Sequence, residues 1–383
     1  MAVEATRRRA ASAPLALLFA AGLSAGAHSA LAAEASRAPY GVTAGGAPVE
    51  VFTLKNDRGM TVKVLSYGGI ITQVDVPDRK GQTQNVVLEL ADLKTYEGRA
   101  NFSSLLGRYA NRISNGGFTL DGVRHDLPSG AEGVSSHGGP TGFATRLWTG
   151  TLFKRHGEAG VTLTYTAVDG EGGYPGTLAV KVTYTVTRRN ALRIDYRAVT
   201  DKPTIINLSH HTYFNLAGGG TVYDQTAQVL AQTFTPINAR KLPSGEIASV
   251  AGTALDLRRP VRIGDRVLAD DPQIKLANGF DHNFVIDGGG RGKLVPAVRV
   301  ADPASGRTLE VATTQPGVQL FTANSFNGTL KTPDGRTLEK GAGLAIETQH
   351  FADSPNHPNF PSTVLRPGEV FKQTTEFRFG VAK

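Results

Sequence analysis

The sequence predicts an all-β protein of sandwich type, folded as one large domain. Strand-like segments recur from about residue 47 to the end of the chain, turn signals punctuate them, and helical periodicity is scarce. With 45 Gly and 20 Pro in 383 residues, the composition suits a chain that reverses direction often.

The chain opens on a segment that is expected to lie outside the fold. Arg7-Arg8-Arg9, an apolar run over residues 14–26 and the small-residue pattern Ala30-Leu31-Ala32 read as a secretory signal peptide over 1–32, cleaved near Ala32. Residues 33–46 then form a short lead and 47–383 the domain. The apolar run is too short to span a bilayer, and nothing later offers 18 continuous apolar residues, so no membrane partner is expected after cleavage. The predicted location is the periplasm or the medium. Losing three arginines and one glutamate takes the net charge from +8 to +6. The remaining basic residues are scattered, which fits a solvated surface and not a nucleic-acid interface. There is no cysteine. Disulfides, thiol catalysis and Cys-ligated zinc are thereby excluded, and stability must come from core burial.

Within the domain, "VEVFTLKN", "MTVKVLSYGG" and "IITQVDVP" give the first strands, separated by Asn56-Asp57-Arg58-Gly59. "GVTLTYTAV", "LAVKVTYTVT" and "ALRIDYRAV" follow, then "DQTAQVLAQTFTPI", "AVRVAD", "RTLEVATTQ" and "VFKQTTEFRFG". "ADLKTYEG" and "RIGDRVLAD" are short helix candidates. The glycine runs in "DGGGRGK" and "AGGG" lack phosphate-loop spacing and read as turns.

The stretch "TIINLSHHTYFNL", residues 204–216, also reads as a strand. Alternation puts Leu208, His210, Thr212, Phe214 and Leu216 on an apolar face and Asn207, Ser209, His211, Tyr213 and Asn215 on a polar one. His211 therefore has polar company, whereas His210 faces the core. "GLAIETQHF" brings Glu347 to an otherwise apolar strand, which is unusual unless the carboxylate is paired or functional. Asn111 and Arg112 in "GRYANRI", His137 in "SSHGGPTGF", Asp281 in "NGFDHNF" and Gln319 in "TTQPGVQLFTAN" are further polar candidates. No His-x-His or HExxH spacing occurs, and no metal is expected.

In this order and across residues 47–380, "GRYANRI", "HGG…GF…W", "NLSHHTYFNL", "GFDHNF", "TTQPGVQLFTAN" and "ETQHFADSPNHPNFPST" resemble the aldose 1-epimerase (galactose mutarotase) family. The resemblance implies a β-supersandwich, no cofactor, and interconversion of the α and β anomers of free aldoses. It implies Glu347 as general base, His211 as general acid, and Asn111, Arg112, His137, Asp281 and Gln319 as sugar-binding residues. The expected partner is a small monosaccharide, bound by a monomer or weak dimer. Two departures stand out: His210 where asparagine is common, and Ser136 where a larger residue is usual.

Mutarotation needs a proton taken from the anomeric hydroxyl and another given to the ring oxygen, so two groups of different proton affinity suffice. A carboxylate near pKa ~4.3 is then expected as a ready base, and an imidazole near ~6.5, favoured as imidazolium by neighbouring carboxylates, as the acid. Two other readings share these residues: a glycosidase using Asp281 with Glu347, and a non-catalytic carbohydrate-binding domain. The single tryptophan speaks against the first, and the retention of both Glu347 and His211 against the second.

Overall fold

A computed structural model describes residues 1–4, 33–130 and 132–382. The expected signal peptide and its cleavage position lie outside these residues. The described chain is built mainly of antiparallel strands in two large sheets and one smaller sheet. Nine strands form the largest sheet, with Leu178–Val186, Ala191–Thr200, Phe371–Val381 and Arg307–Thr313 as consecutive neighbours near its centre. Their alternating patterns, such as buried Val180, Val182 and Tyr184 against exposed Ala179 and Lys181, show one face turned to the core.

The second large sheet has six strands and carries the polar candidates. Its central members are β1 (Asp281–Val285), β2 (Gly317–Phe321) and β3 (Leu344–Gln349), in the order β3-β2-β1. Phe284, Val318, Leu320, Leu344 and Ile346 belong to the same core cluster as Val182, Ile194, Val311 and Phe377 of the nine-stranded sheet. Burying each such side chain contributes about 1.5–3 kcal/mol. The opposite face of β1–β3 carries the polar residues. Gln319 is in register with Asn283 on one side and Glu347 on the other.

Three expectations need correction. Residues 204–216 are not one strand: Thr204–Ile205, Ser209–His210 and Tyr213–Phe214 pair with Val364–Leu365, Leu105–Leu106 and Leu344–Ala345 respectively. A segment that serves three partners must bend between them. The 33–46 lead contains a strand, Glu34–Val42, paired along its length with Pro48–Lys55. "DQTAQVLAQTFTPI" divides between the two large sheets as Thr226–Val229 and Thr233–Thr235. The two short helix candidates appear as Leu93–Glu97 and Ile263–Val267, and a third helix, Pro272–Ala277, joins them.

Candidate active site

Asn111, Arg112, His137, His211, Asp281 and Glu347 line one open cleft of about 290 Å³. A separate depression of about 370 Å³, lined by Val87, Leu88, Asn215 and Leu338 among others, holds none of the candidates. β1 and β3 supply Asp281 and Glu347 from a rigid sheet face. His211 follows the short strand Ser209–His210, and its backbone N–H donates to the Ser104 carbonyl at 2.9 Å.

The loop residues are held by one another. The His137 N–H donates to the Asn111 carbonyl at 2.9 Å, and the Asn111 N–H donates back to His137 Nδ1 at 3.1 Å. Both residues sit in the left-handed region, with φ of 66° at Asn111 and 52° at His137. For residues with a Cβ such backbone costs on the order of 1–3 kcal/mol each, so the reciprocal bonds are what hold it. Gly138 allows the approach, because a Cβ there would fall 2.0 Å from the Gly107 carbonyl oxygen. Asp353 braces the same loop: its N–H donates to the Arg112 carbonyl at 2.8 Å, and its carboxylate accepts from the Ser114 N–H at 2.9 Å.

At the floor, Arg112 Nη2 donates to Asp281 Oδ2 at 2.8 Å and Gln319 Nε2 donates to Asp281 Oδ1 at 2.7 Å. Gln319 therefore holds Asp281 in place from the neighbouring strand. Burial opposes ionisation of Asp281, but Arg112 and the Gln319 amide overcome it and keep the carboxyl below its ordinary value.

His211 Nε2 lies 3.4 Å from Glu347 Oε1. That separation exceeds an ordinary hydrogen bond, so neither group is sequestered by the other. Glu347 Oε2 and His211 Nδ1 have no partner among the described residues. Burial, reinforced by Asp281, pushes the Glu347 carboxyl up to about 8. Burial likewise pushes the His211 imidazole down to about 4. The structure thus corrects the expected protonation: both groups favour their uncharged forms, and between these limits the pair carries one proton.

His137, His211 and Glu347 bring ligand-type atoms within 4.8 Å of one another. The donor set fits a metal poorly. Burial holds the His137 imidazole neutral, and the Asn111 N–H occupies Nδ1, which leaves the proton on Nε2. A ring so fixed donates to a hydroxyl and does not offer a lone pair to a cation.

Of the two departures, neither lines the cleft. His210 is in the core, with Nε2 3.0 Å from the Gly69 carbonyl and Nδ1 2.7 Å from the Thr212 hydroxyl. Ser136 is exposed on the short strand Ser135–Ser136. Sequence reasoning missed the aromatic wall. The Tyr213 and Phe321 rings lie 4.9 and 5.8 Å from His211, and Phe102 and Phe326 stack at 5.8 Å near the mouth. Tyr213 had a usable signal, since it shares the polar face of His211.

The sequence pattern of the aldose 1-epimerase family matches residues 50–378. The chain belongs to the aldose 1-epimerase family. Among its relatives, a mouse galactose mutarotase is 44% identical over 341 residues, covering 88% of this chain and 96% of that protein. An Escherichia coli aldose 1-epimerase is 36% identical over 342 residues, covering 87% and 96%. The crystal structure of a galactose 1-epimerase from Lactobacillus acidophilus superposes with a TM-score of 0.81 at 32% identity, covering 92% of this chain and all of that one. This aldose 1-epimerase therefore has the family's β-supersandwich fold, as the resemblance implied.

Proposed function

We propose that Glu347 and His211 are the base and acid by which this aldose 1-epimerase interconverts the α and β anomers of free aldoses such as galactose and glucose. The observation that carries this reading is the 3.4 Å separation of Glu347 Oε1 and His211 Nε2. The anomeric and ring oxygens are bonded to one carbon, so the two groups serving them must be neighbours. Glu347 accepts the anomeric proton while His211 delivers one to the ring oxygen. The ring opens to the aldehyde, the C1–C2 bond turns, and closure on the other face returns both protons. Arg112, Asn111 and His137 present donors that hold the polyol through both steps.

The one-proton pair starts as carboxylate with imidazolium and becomes carboxylic acid with imidazole when the ring is open. Burial favours the second state. Because the resting pair is already in that uncharged form, the ion pair that opens the ring is its minor tautomer, and the energy needed to form it is returned as the ring opens. The glycosidase reading loses support, because both Asp281 oxygens are engaged, one by Arg112 and one by Gln319. Polarimetry on fresh α-D-galactose and α-D-glucose tests the function: purified protein accelerates equilibration, and an unaccelerated rate with folded protein overturns it.

Export is the second part of the proposal. It rests on the arginines, apolar run and small-residue pattern of residues 1–32. No helix among the described residues is long and apolar enough to cross a membrane.

A further inference from the structure

The outer half of the cleft is formed by Arg99, Asn101, Phe102, Ser325 and Phe326, none of which the acid–base chemistry uses. Arg99 follows the helix Leu93–Glu97 in a fixed turn, where the Arg99 N–H donates to the Tyr96 carbonyl at 3.0 Å and the Phe102 N–H donates to the Arg99 carbonyl at 2.8 Å. Its side chain is exposed and takes part in neither ion pair of the cleft, Arg112–Asp281 or His211–Glu347. Since Arg112 is balanced by Asp281 and the acid–base pair is uncharged overall, Arg99 is the cleft's unbalanced charge among the described residues.

Its place relative to the sugar follows from the chemistry of the inner half. His211 serves the ring oxygen, and the carbon next to that oxygen is C5, which carries C6. The C6 substituent therefore leaves the catalytic end on the His211 side. Tyr213 is one of the rings packed on His211, 4.9 Å away, and Phe102, hydrogen-bonded into the Arg99 turn, lies 5.0 Å from the Tyr213 ring. The Arg99 charge is felt at the Tyr213 phenol, where it opposes the rise caused by burial, Glu347 and Asp281. A guanidinium without a carboxylate partner among the described residues, lining the same cleft on a hydrogen-bonded turn that reaches Tyr213 through Phe102, is a receptor for a planar anion.

We propose that the cleft also accepts aldohexuronates, sugars with a carboxylate at C6, and that Arg99 is the residue that selects them. This rests on the mutarotase reading above and names a further substrate class for the same site. The test compares kcat/KM for D-galacturonate, D-galactose 6-phosphate and D-galactose by polarimetry in wild type, Arg99→Gln and Arg99→Glu. Arg155→Gln, on a hairpin outside the cleft, is the control for overall charge. The wild type catalyses galacturonate mutarotation. Arg99→Gln lowers the galacturonate-to-galactose ratio of kcat/KM about fivefold, as expected for one exposed charge pair, and Arg99→Glu lowers it further. Added salt reduces the wild-type ratio and leaves that of Arg99→Gln unchanged. Arg155→Gln keeps the wild-type ratio. A wild type active on galactose but inert on galacturonate overturns the proposal while leaving the mutarotase reading intact. A ratio unmoved by either Arg99 substitution also overturns it, and so does activity on the 6-phosphate without activity on the uronate. Inactivity on galactose itself falls on the mutarotase reading instead.

Discussion

The pH dependence of the rate is set by the proton count of the Glu347–His211 pair. The perturbation is pH alone, applied to unmodified enzyme. With Glu347 pushed up to about 8 and His211 down to about 4, the pair holds one proton between those limits. Below the lower limit a second proton occupies the base; above the upper limit the last proton leaves and no acid remains. Either way the reaction loses a partner, so kcat/KM falls tenfold per pH unit on both flanks of a plateau. Groups with ordinary pKa values near ~4.3 and ~6.5 would give a narrower plateau ending just below neutrality. The two cases separate at pH 7.5. An ordinary imidazole is then protonated in roughly one molecule in ten. A pair that keeps its proton to about 8 is instead competent in roughly three molecules in four. The assay is initial polarimetric rate on α-D-galactose from pH 3.5 to 10, corrected for spontaneous mutarotation, with circular dichroism confirming the fold at each point. An alkaline limb near 6.5, or a rate that does not fall above pH 9, would refute the one-proton pair.

Glu347→Gln and His211→Asn each lower kcat by roughly 10²–10⁴-fold. The double variant is little worse than the poorer single one, because the groups act in one exchange. His210→Asn keeps most activity, since that side chain is in the core and not in the cleft; polarimetry of all four variants decides, and an inactive, folded His210→Asn beside an active His211→Asn would reverse the assignment. For export, intact-mass analysis of protein recovered from its native compartment finds a chain beginning near Ala33, and a retained N-terminal segment would exclude cleavage.

Much of the fold was legible because alternation is a direct record of which face of a strand is buried. Leu178–Val186 and Ala191–Thr200 could be read residue by residue. Glu34–Val42 could not, since "EASRAPYGV" has neither clean alternation nor β-branched density and owes its conformation to Pro48–Lys55. Pro272–Ala277 is too short for periodicity, but it carried end signals that went unread: Asp271 caps its first turn, proline follows, and left-handed Asn278 ends it. At the site, alternation separated His211 from His210 although their strand is broken, because the break falls between partners and leaves the local faces intact. Gln319 turned to Asp281 because register placed them on one sheet face. Arg99 and Phe326 come together only through tertiary folding. Protonation was beyond sequence reasoning, since it depends on how completely Glu347 and His211 are enclosed.

The division of residues 204–216 among three partners has a consequence for how the enzyme moves. Ladders to 364–365, 105–106 and 344–345 clamp the stretch in succession. Releasing His211 from its place means undoing a tie that joins separate parts of the molecule, so the acid has no private low-energy opening of its own. Its backbone amide, donated to Ser104, should exchange with solvent hydrogen on the timescale of global unfolding. Discrimination among sugars of differing outline then falls to side chains at 99–102 and 325–326, which line the cleft without belonging to the acid–base pair.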